Sequence, residues 1–320
     1  MGSYYDEEGN PCGLNWAVQM NYSSNEFGED KSVVIADYIH DRPVVGVQDG
    51  WSSKVGTPND ISVTFPSTLR HLGTVTRSSS QEKNTGNNHV ISVAFPEDCE
   101  LTRIKDYTFV NSKLTEIQLP KNVTQIDEFA FSDCTDLKTV ILPEKLQTIG
   151  DSAFANCEAL KELQLPDGVQ SIGDWAFAGC KALKEITIPE NVTGIGEGAF
   201  SYKANATDNK DYLPKESIQK ITILNPDCQI AENIHTLDSV FIYGYVGSTA
   251  ENFCKSAEEI IEKLTNRVFI PLNPATKEPY ALGDVSMDGE ISVADVIALQ
   301  KYLHNQQSIK QYQFNLIDFN

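Results

Sequence analysis

The chain has 320 residues, 40% of them hydrophobic, with 25 basic against 45 acidic side chains and a formal net charge of −20. A surface of that sign repels polyanions, which excludes nucleic acid and anionic membrane faces as general partners. No run reaches the roughly 18–20 apolar residues of a membrane span. The N-terminus lacks a basic segment leading into an apolar one, so no signal peptide is read there, and Met1-Gly2-Ser3 reads as the start of a fragment.

Residues 1–32 are polar and turn-rich, with Cys12, Leu14 and Trp16 as an apolar knot, and are expected to cap the first coil. Val33 to Val47 reads as a degenerate repeat, and Ile61 to Leu72 as a better one. The polar stretch 77–89 cannot bury apolar surface and is expected to be a loop insertion. The pattern resumes at Ile91 and becomes regular at Leu101.

Between Ile104 and Phe200 one motif recurs five times. It starts at Ile104, Ile126, Ile149, Ile172 and Ile195 and ends five residues later at Phe109, Phe131, Phe154, Phe177 and Phe200. Pro120, Pro143, Pro166 and Pro189 keep the same spacing, as do Cys134, Cys157 and Cys180. A fixed period of this length marks a solenoid, in which no unit can bury its own apolar face and stacking does so instead. Leu160 to Leu165 alternates apolar and polar as a half-buried strand does, and the proline ends it because it cannot donate to a ladder. The seven cysteines form no CxxC and no His-paired cluster, which argues against zinc. The three at one repeat position are expected to be buried packing thiols.

The unit L-x-x-I-x-I-P-x-x-V-x-x-I-G-x-x-A-F-x-x-C resembles the BspA-type leucine-rich repeats of bacterial and treponemal surface proteins, over roughly Val33 to Leu272. The resemblance implies a right-handed leucine-rich-repeat β-solenoid over 33–247 whose strand face binds a ligand, protein or polysaccharide. On that face the outward positions stack into columns. One holds Thr115, Lys138, Lys161 and Lys184; the next holds Glu116, Thr139, Glu162 and Glu185; a third holds Gln118, Ile141, Gln164 and Thr187. Lys138, Lys161, Lys184, Glu162, Glu185 and Gln164 are the ligand-face candidates. The alternative is a solvated sheet face whose opposite charges stabilise it across strands. None of these columns carries an aromatic residue, which argues against sugar rings stacking on them.

A second polar insertion, 201–216, precedes strands at Ile218 to Ile223 and Val240 to Tyr243. Ser248 to Leu264 has helical spacing with Ser248 as its cap, and with a strand to Pro271 it is expected to cover the last coil over 248–271. Residues 272–282, with Pro274 and Pro279, read as a linker.

The segment 283–320 carries a twelve-residue calcium loop from Asp284 to Asp295. Its oxygen ligands are Asp284, Ser286 and Asp288, the carbonyl of Glu290, then Ser292 and Asp295, with Gly289 at the sharp turn. An apolar-faced helix is expected from Val296 to Leu303. No helix precedes the loop and Asp stands at its twelfth position, and in both respects the segment resembles the first half of a type I dockerin. That resemblance implies calcium as cofactor and the cohesin module of a scaffoldin as partner. Val293, Ala294, Gln300 and Lys301 fall at the recognition positions, and Asp318 and Asn320 open a truncated second calcium loop. The combined expectation is a non-catalytic secreted binding protein tethered to a cellulosome-type scaffold. A surface adhesin is the alternative, as is a fragment of a dockerin-bearing hydrolase whose catalytic module lies elsewhere. The chain's acids are spread over repeat positions, and neither a GxSxG nor a Cys–His pair is present.

Overall fold

The computed structural model describes residues 4–5, 11–12, 32–35, 37–39, 42–47, 61–73, 90–201, 218–231, 240–260, 267–281, 284, 287–290, 292 and 295–296. The expected insertion 77–89, the second insertion after Ser201, the N-terminal knot beyond Cys12 and the expected helix after Val296 fall outside them. The described residues form a parallel β-solenoid in which each coil bonds to the next along three ladders.

The first ladder follows the isoleucine of each motif. Two-residue strands ending at Ile104, Ile126, Ile149, Ile172, Ile195 and Ile230 pair in parallel in one six-stranded sheet. Apart from the half-buried Ile230, every one of these isoleucines is buried.

The second ladder runs through the Ala–Phe segments. Phe129, Phe131 and Asp133 donate their N–H groups to the carbonyls of Asp151, Ala153 and Ala155 in the next coil, at 2.7–3.0 Å. The alternation needs left-handed backbone at two places per coil. One is occupied by Tyr107, Phe129, Ser152, Trp175 and Gly198, and the other by Asn111, Asp133, Asn156 and Gly179, all at φ of 53–75°. Asn, Asp and Gly suit that conformation, whereas Phe and Trp adopt it rarely. Here their N–H groups are held by the neighbouring coil. Inside, Phe109, Phe131, Phe154, Phe177 and Phe200 form one stack with centroids 5.0–5.7 Å apart. The prolines act through their carbonyls: Val123, Leu146, Val169 and Val192 each donate to the proline three residues back.

The cysteines are spine residues. Cys134, Cys157 and Cys180 donate their Sγ–H to the carbonyls of Phe109, Phe131 and Phe154 at 3.0–3.2 Å. Burial pushes the Cys134 and Cys180 thiols up to about 12 and raises Cys157 as well, so none is a nucleophile at neutral pH.

The third ladder is the strand face, and it is not continuous. Strands Ser32–Val34, Ile61–Thr64 and Val90–Ala94 form one sheet, Glu116–Gln118 and Thr139–Ile141 a second, and Glu185–Ile188, Lys220–Ile223, Val240–Gly244 and Arg267–Pro271 a third. The strand expected over Leu160–Leu165 is reduced to a single bridge between Thr139 and Glu162. Its side chains keep the expected alternation, with Leu163 and Leu165 buried and Glu162 and Gln164 exposed. Packing of the leucines therefore sets the coil's path, while the backbone ladder lapses.

The helix Thr249–Ile260 closes the C-terminal end, burying Ala250, Phe253 and Cys254 against the last strands. Ser248 caps it by accepting the Glu251 N–H at 3.3 Å, and the buried Glu251 carboxylate reaches back to the Gly247 N–H at 2.6 Å. Beyond it, residues 272–281 form a turn rather than an extended spacer. Leu272 bridges to Pro279, and Lys277 reaches Glu190 of the solenoid at 2.5 Å.

Candidate functional site

Strand register fixes which side chains share the open face. Glu116 lies beside Thr139, Thr139 beside Glu162, and Gln118 beside Ile141, as the columns require. In the third sheet Glu185 pairs with Lys220 and Lys220 with Phe241, while Thr187 pairs with Thr222 and Thr222 with Tyr243. The columns therefore continue past the insertion and run through aromatics before Val268 and Ile270, which corrects the expectation of a face without them. The earlier columns stop at Thr187 because the 23-residue spacing lapses in the stretch before Ile218, so Phe241 and Tyr243 do not fall in phase. Their alternation with the buried Val240 and Ile242 was the signal that could have placed them.

Where the ladder lapses, the face is hollowed into a groove of about 1600 Å³ lined from Lys161 on one side to Tyr243 on the other. Five of the six expected ligand-face residues, Lys161, Glu162, Gln164, Lys184 and Glu185, line it from two consecutive coils. Lys138 lies one coil outside. Two of the groove's lysines have partners: Lys184 donates to the Lys181 carbonyl at 2.9 Å, and Lys220 sits 3.7 Å from Glu185 and 5.0 Å above the Tyr243 ring. Phe241, by contrast, is 43% exposed. The groove can thus offer paired charges, amides and hydroxyls, and one uncovered aromatic ring.

The acidic loop near the C-terminus is braced by its own backbone. The Asp284 carboxylate accepts the N–H groups of Asp288 at 3.2 Å and Gly289 at 2.9 Å, and Asp288 accepts the N–H of Glu290 at 3.0 Å. Asp295 accepts the Ser292 N–H at 2.7 Å. Gly289 stands at φ 95°, where a side chain would be strained, and an added Cβ would meet the Asn273 amide at 2.8 Å. Asp284 and Asp295 are buried, and the half-buried Met287 packs against the solenoid core. The donor set is carboxylate, hydroxyl and carbonyl oxygen, which suits a hard divalent cation in kind. Among the described residues, however, no three acidic, histidine or cysteine side chains converge closely enough to hold a metal. Ser286, Val293, Ala294, Gln300, Lys301, Asp318 and Asn320 lie outside the described residues.

Against known families, residues 89–225 match the BspA type leucine rich repeat region in six copies. That region contains the Ile ladder to Ile195, the whole Phe stack and most of the groove. The solved structure of the T. pallidum leucine rich repeat protein is similar to 74% of this chain over 92% of its own, at 19% identity and a TM-score of 0.38. The pneumococcal vaccine antigen PcpA is similar over 76% of this chain and 68% of its own, at 17% identity and a TM-score of 0.44. A leucine rich cell surface protein from Faecalibacterium prausnitzii is similar over 69% and 81%, at 17% identity and a TM-score of 0.27. No curated protein matches the chain significantly. The BspA-type match stops at residue 225, before Phe241, Tyr243 and the acidic loop. Among the described residues no helix is long and apolar enough to cross a membrane.

Proposed function

We propose that this chain is a non-catalytic extracellular binding protein: the BspA-type solenoid presents its strand face to a ligand, and the Asp284–Asp295 loop anchors it to a partner when calcium binds. The observation that carries the ligand role is the groove, which gathers polar, charged and aromatic side chains from successive coils onto one open face. The anchor rests on the loop's bracing, since the Asp284 carboxylate, bonded to the Asp288 and Gly289 N–H groups, holds a tight acidic turn. Asp284, Ser286, Asp288, Ser292 and Asp295 would hold the ion, with the Glu290 carbonyl. Calcium would supply the charge that neutralises these carboxylates and orders the recognition residues Val293, Ala294, Gln300 and Lys301 for a cohesin-type partner.

Calorimetric titration of the full chain with calcium tests the anchor, beside Asp288→Ala. One site in the range of roughly 10⁻⁷–10⁻⁵ M is expected for the parent and none for the variant. A parent that binds no calcium refutes the anchor and leaves the solenoid as a free binding protein. If calcium does bind, a panel of cohesin modules titrated with and without chelator should show binding only in the presence of calcium.

A further inference from the structure

The chemistry of the groove narrows its occupant, on the reading that the strand face is the ligand surface. An added peptide strand needs an open sheet edge. Strands Lys220–Ile223 and Val240–Gly244 are already paired on both edges, and the edge that Glu185–Ile188 leaves unpaired faces the Leu160–Leu165 segment of the coil before it. An amphipathic helix needs an exposed apolar trough, and here Leu163, Leu165 and Ile186 are buried while the exposed side chains of the lining, Phe241 apart, are charged, amide or hydroxyl groups. A polyanion needs uncompensated cations, and here Lys161 and Lys184 alternate with Glu162 and Glu185, while Lys220 is engaged by Glu185 and Tyr243. What remains is a ligand that is neutral, rich in hydroxyls and apolar on one flat side.

Phe241 fits that flat side. It stands between Lys220 and Val268 in the register and leaves 43% of its surface in water, and nothing among the described residues covers it. The Tyr243 ring is already occupied by Lys220, so Phe241 is the open platform. Glu185, whose side chain is 73% exposed, and Gln164 and Thr187 stand on the same face of the groove. A carboxylate and an amide each offer two atoms in a plane, which suits a pair of adjacent hydroxyls. We propose that the groove is an oligosaccharide site, in which the ring of Phe241 stacks on the C–H face of one sugar while Glu185, Gln164 and Thr187 take hydroxyls along the chain.

The test uses the full chain and three probes, cellohexaose, xylohexaose and mannohexaose, titrated by calorimetry. At least one is expected to bind. Phe241→Ala should weaken it at least tenfold and Glu185→Gln several-fold, while Gln170→Ala, on the solenoid's other flank, should leave it unchanged. Both groove residues are exposed, and circular dichroism of each variant confirms that the coil stack is intact. If no hexaose binds, the oligosaccharide assignment is overturned, and the strand face is left to a protein ligand. If a hexaose binds but is insensitive to Phe241→Ala and lost with Gln170→Ala, the site lies on the other flank, and the strand-face reading falls with the assignment.

Discussion

Each coil has a side that barely changes and a side that does. On the isoleucine ladder six strands pair without interruption, and the neighbouring Phe rings stack at nearly constant spacing. On the strand face the same coils split into three sheets, and the strand at Leu160–Leu165 shrinks to one bridge. The difference shows where the stacking is held. Side chains that interlock with the coils on both sides leave little room for change, while an outward face needs only its buried leucines and isoleucines. That freedom is what allows a groove to form in the middle of a regular array.

The sharpest way to break this comparison is to truncate both sides. Phe154 lies between Phe131 and Phe177 and is fully buried, so Phe154→Ala should cost about 3–5 kcal/mol in urea unfolding followed by circular dichroism. Ile141 on the strand face is 53% exposed, and Ile141→Ala should change stability by less than about 0.5 kcal/mol. Equal costs would mean that the strand face holds the coils as firmly as the stack does.

A finer test stays within the isoleucine ladder. An alanine Cβ at Gly150 would lie 2.8 Å from the Asp127 carbonyl carbon and 2.9 Å from the Glu128 nitrogen, both backbone atoms of the coil before. Gly150→Ala should therefore destabilise by about 1–3 kcal/mol. At Gly194 an added Cβ meets nothing within 4 Å, and Gly194→Ala should be neutral or stabilise by up to about 1 kcal/mol. Thermal melts of the two variants separate coil contact from backbone entropy as the reason for glycine.

The smallest effect concerns Asp127, which occupies the place held by Gly150, Gly173 and Gly196 in later coils. One carboxylate oxygen bonds the Arg103 guanidinium and the other, buried, has no partner. Burial raises its pKa above the ordinary 3.8 despite Arg103. Its ionised form is thus less favoured folded than unfolded. The stability it contributes is present below about pH 4 and lost as pH rises through the folded value. Asp127→Asn should gain more over the parent at pH 7 than at pH 4, read as the difference in melting temperature.

The repeat, its buried positions and the spine thiols were legible in the sequence because each is dictated by the coil's neighbours, and neighbours here are copies of the coil itself. Ile126, Phe131 and Cys134 needed only the period. The lapse at Leu160–Leu165 was not legible, since its alternation is as regular as in any other coil and only the backbone departs. Phe241 and Tyr243 were missed for a different reason: strand register, not residue count, brings them beside Lys220 and Thr222. The acidic loop could be read as a list of oxygen donors, whereas its seat against the solenoid core through Met287 is a tertiary contact that spacing does not encode.

The thiol column has a use beyond packing. Cys134, Cys157 and Cys180 sit one coil apart, fully enclosed and protonated at neutral pH, so a maleimide can reach each only when its own coil parts from the next. Labelling rates at the three sites would act as three clocks along the solenoid axis, telling whether the stack unzips from an end or opens as a whole.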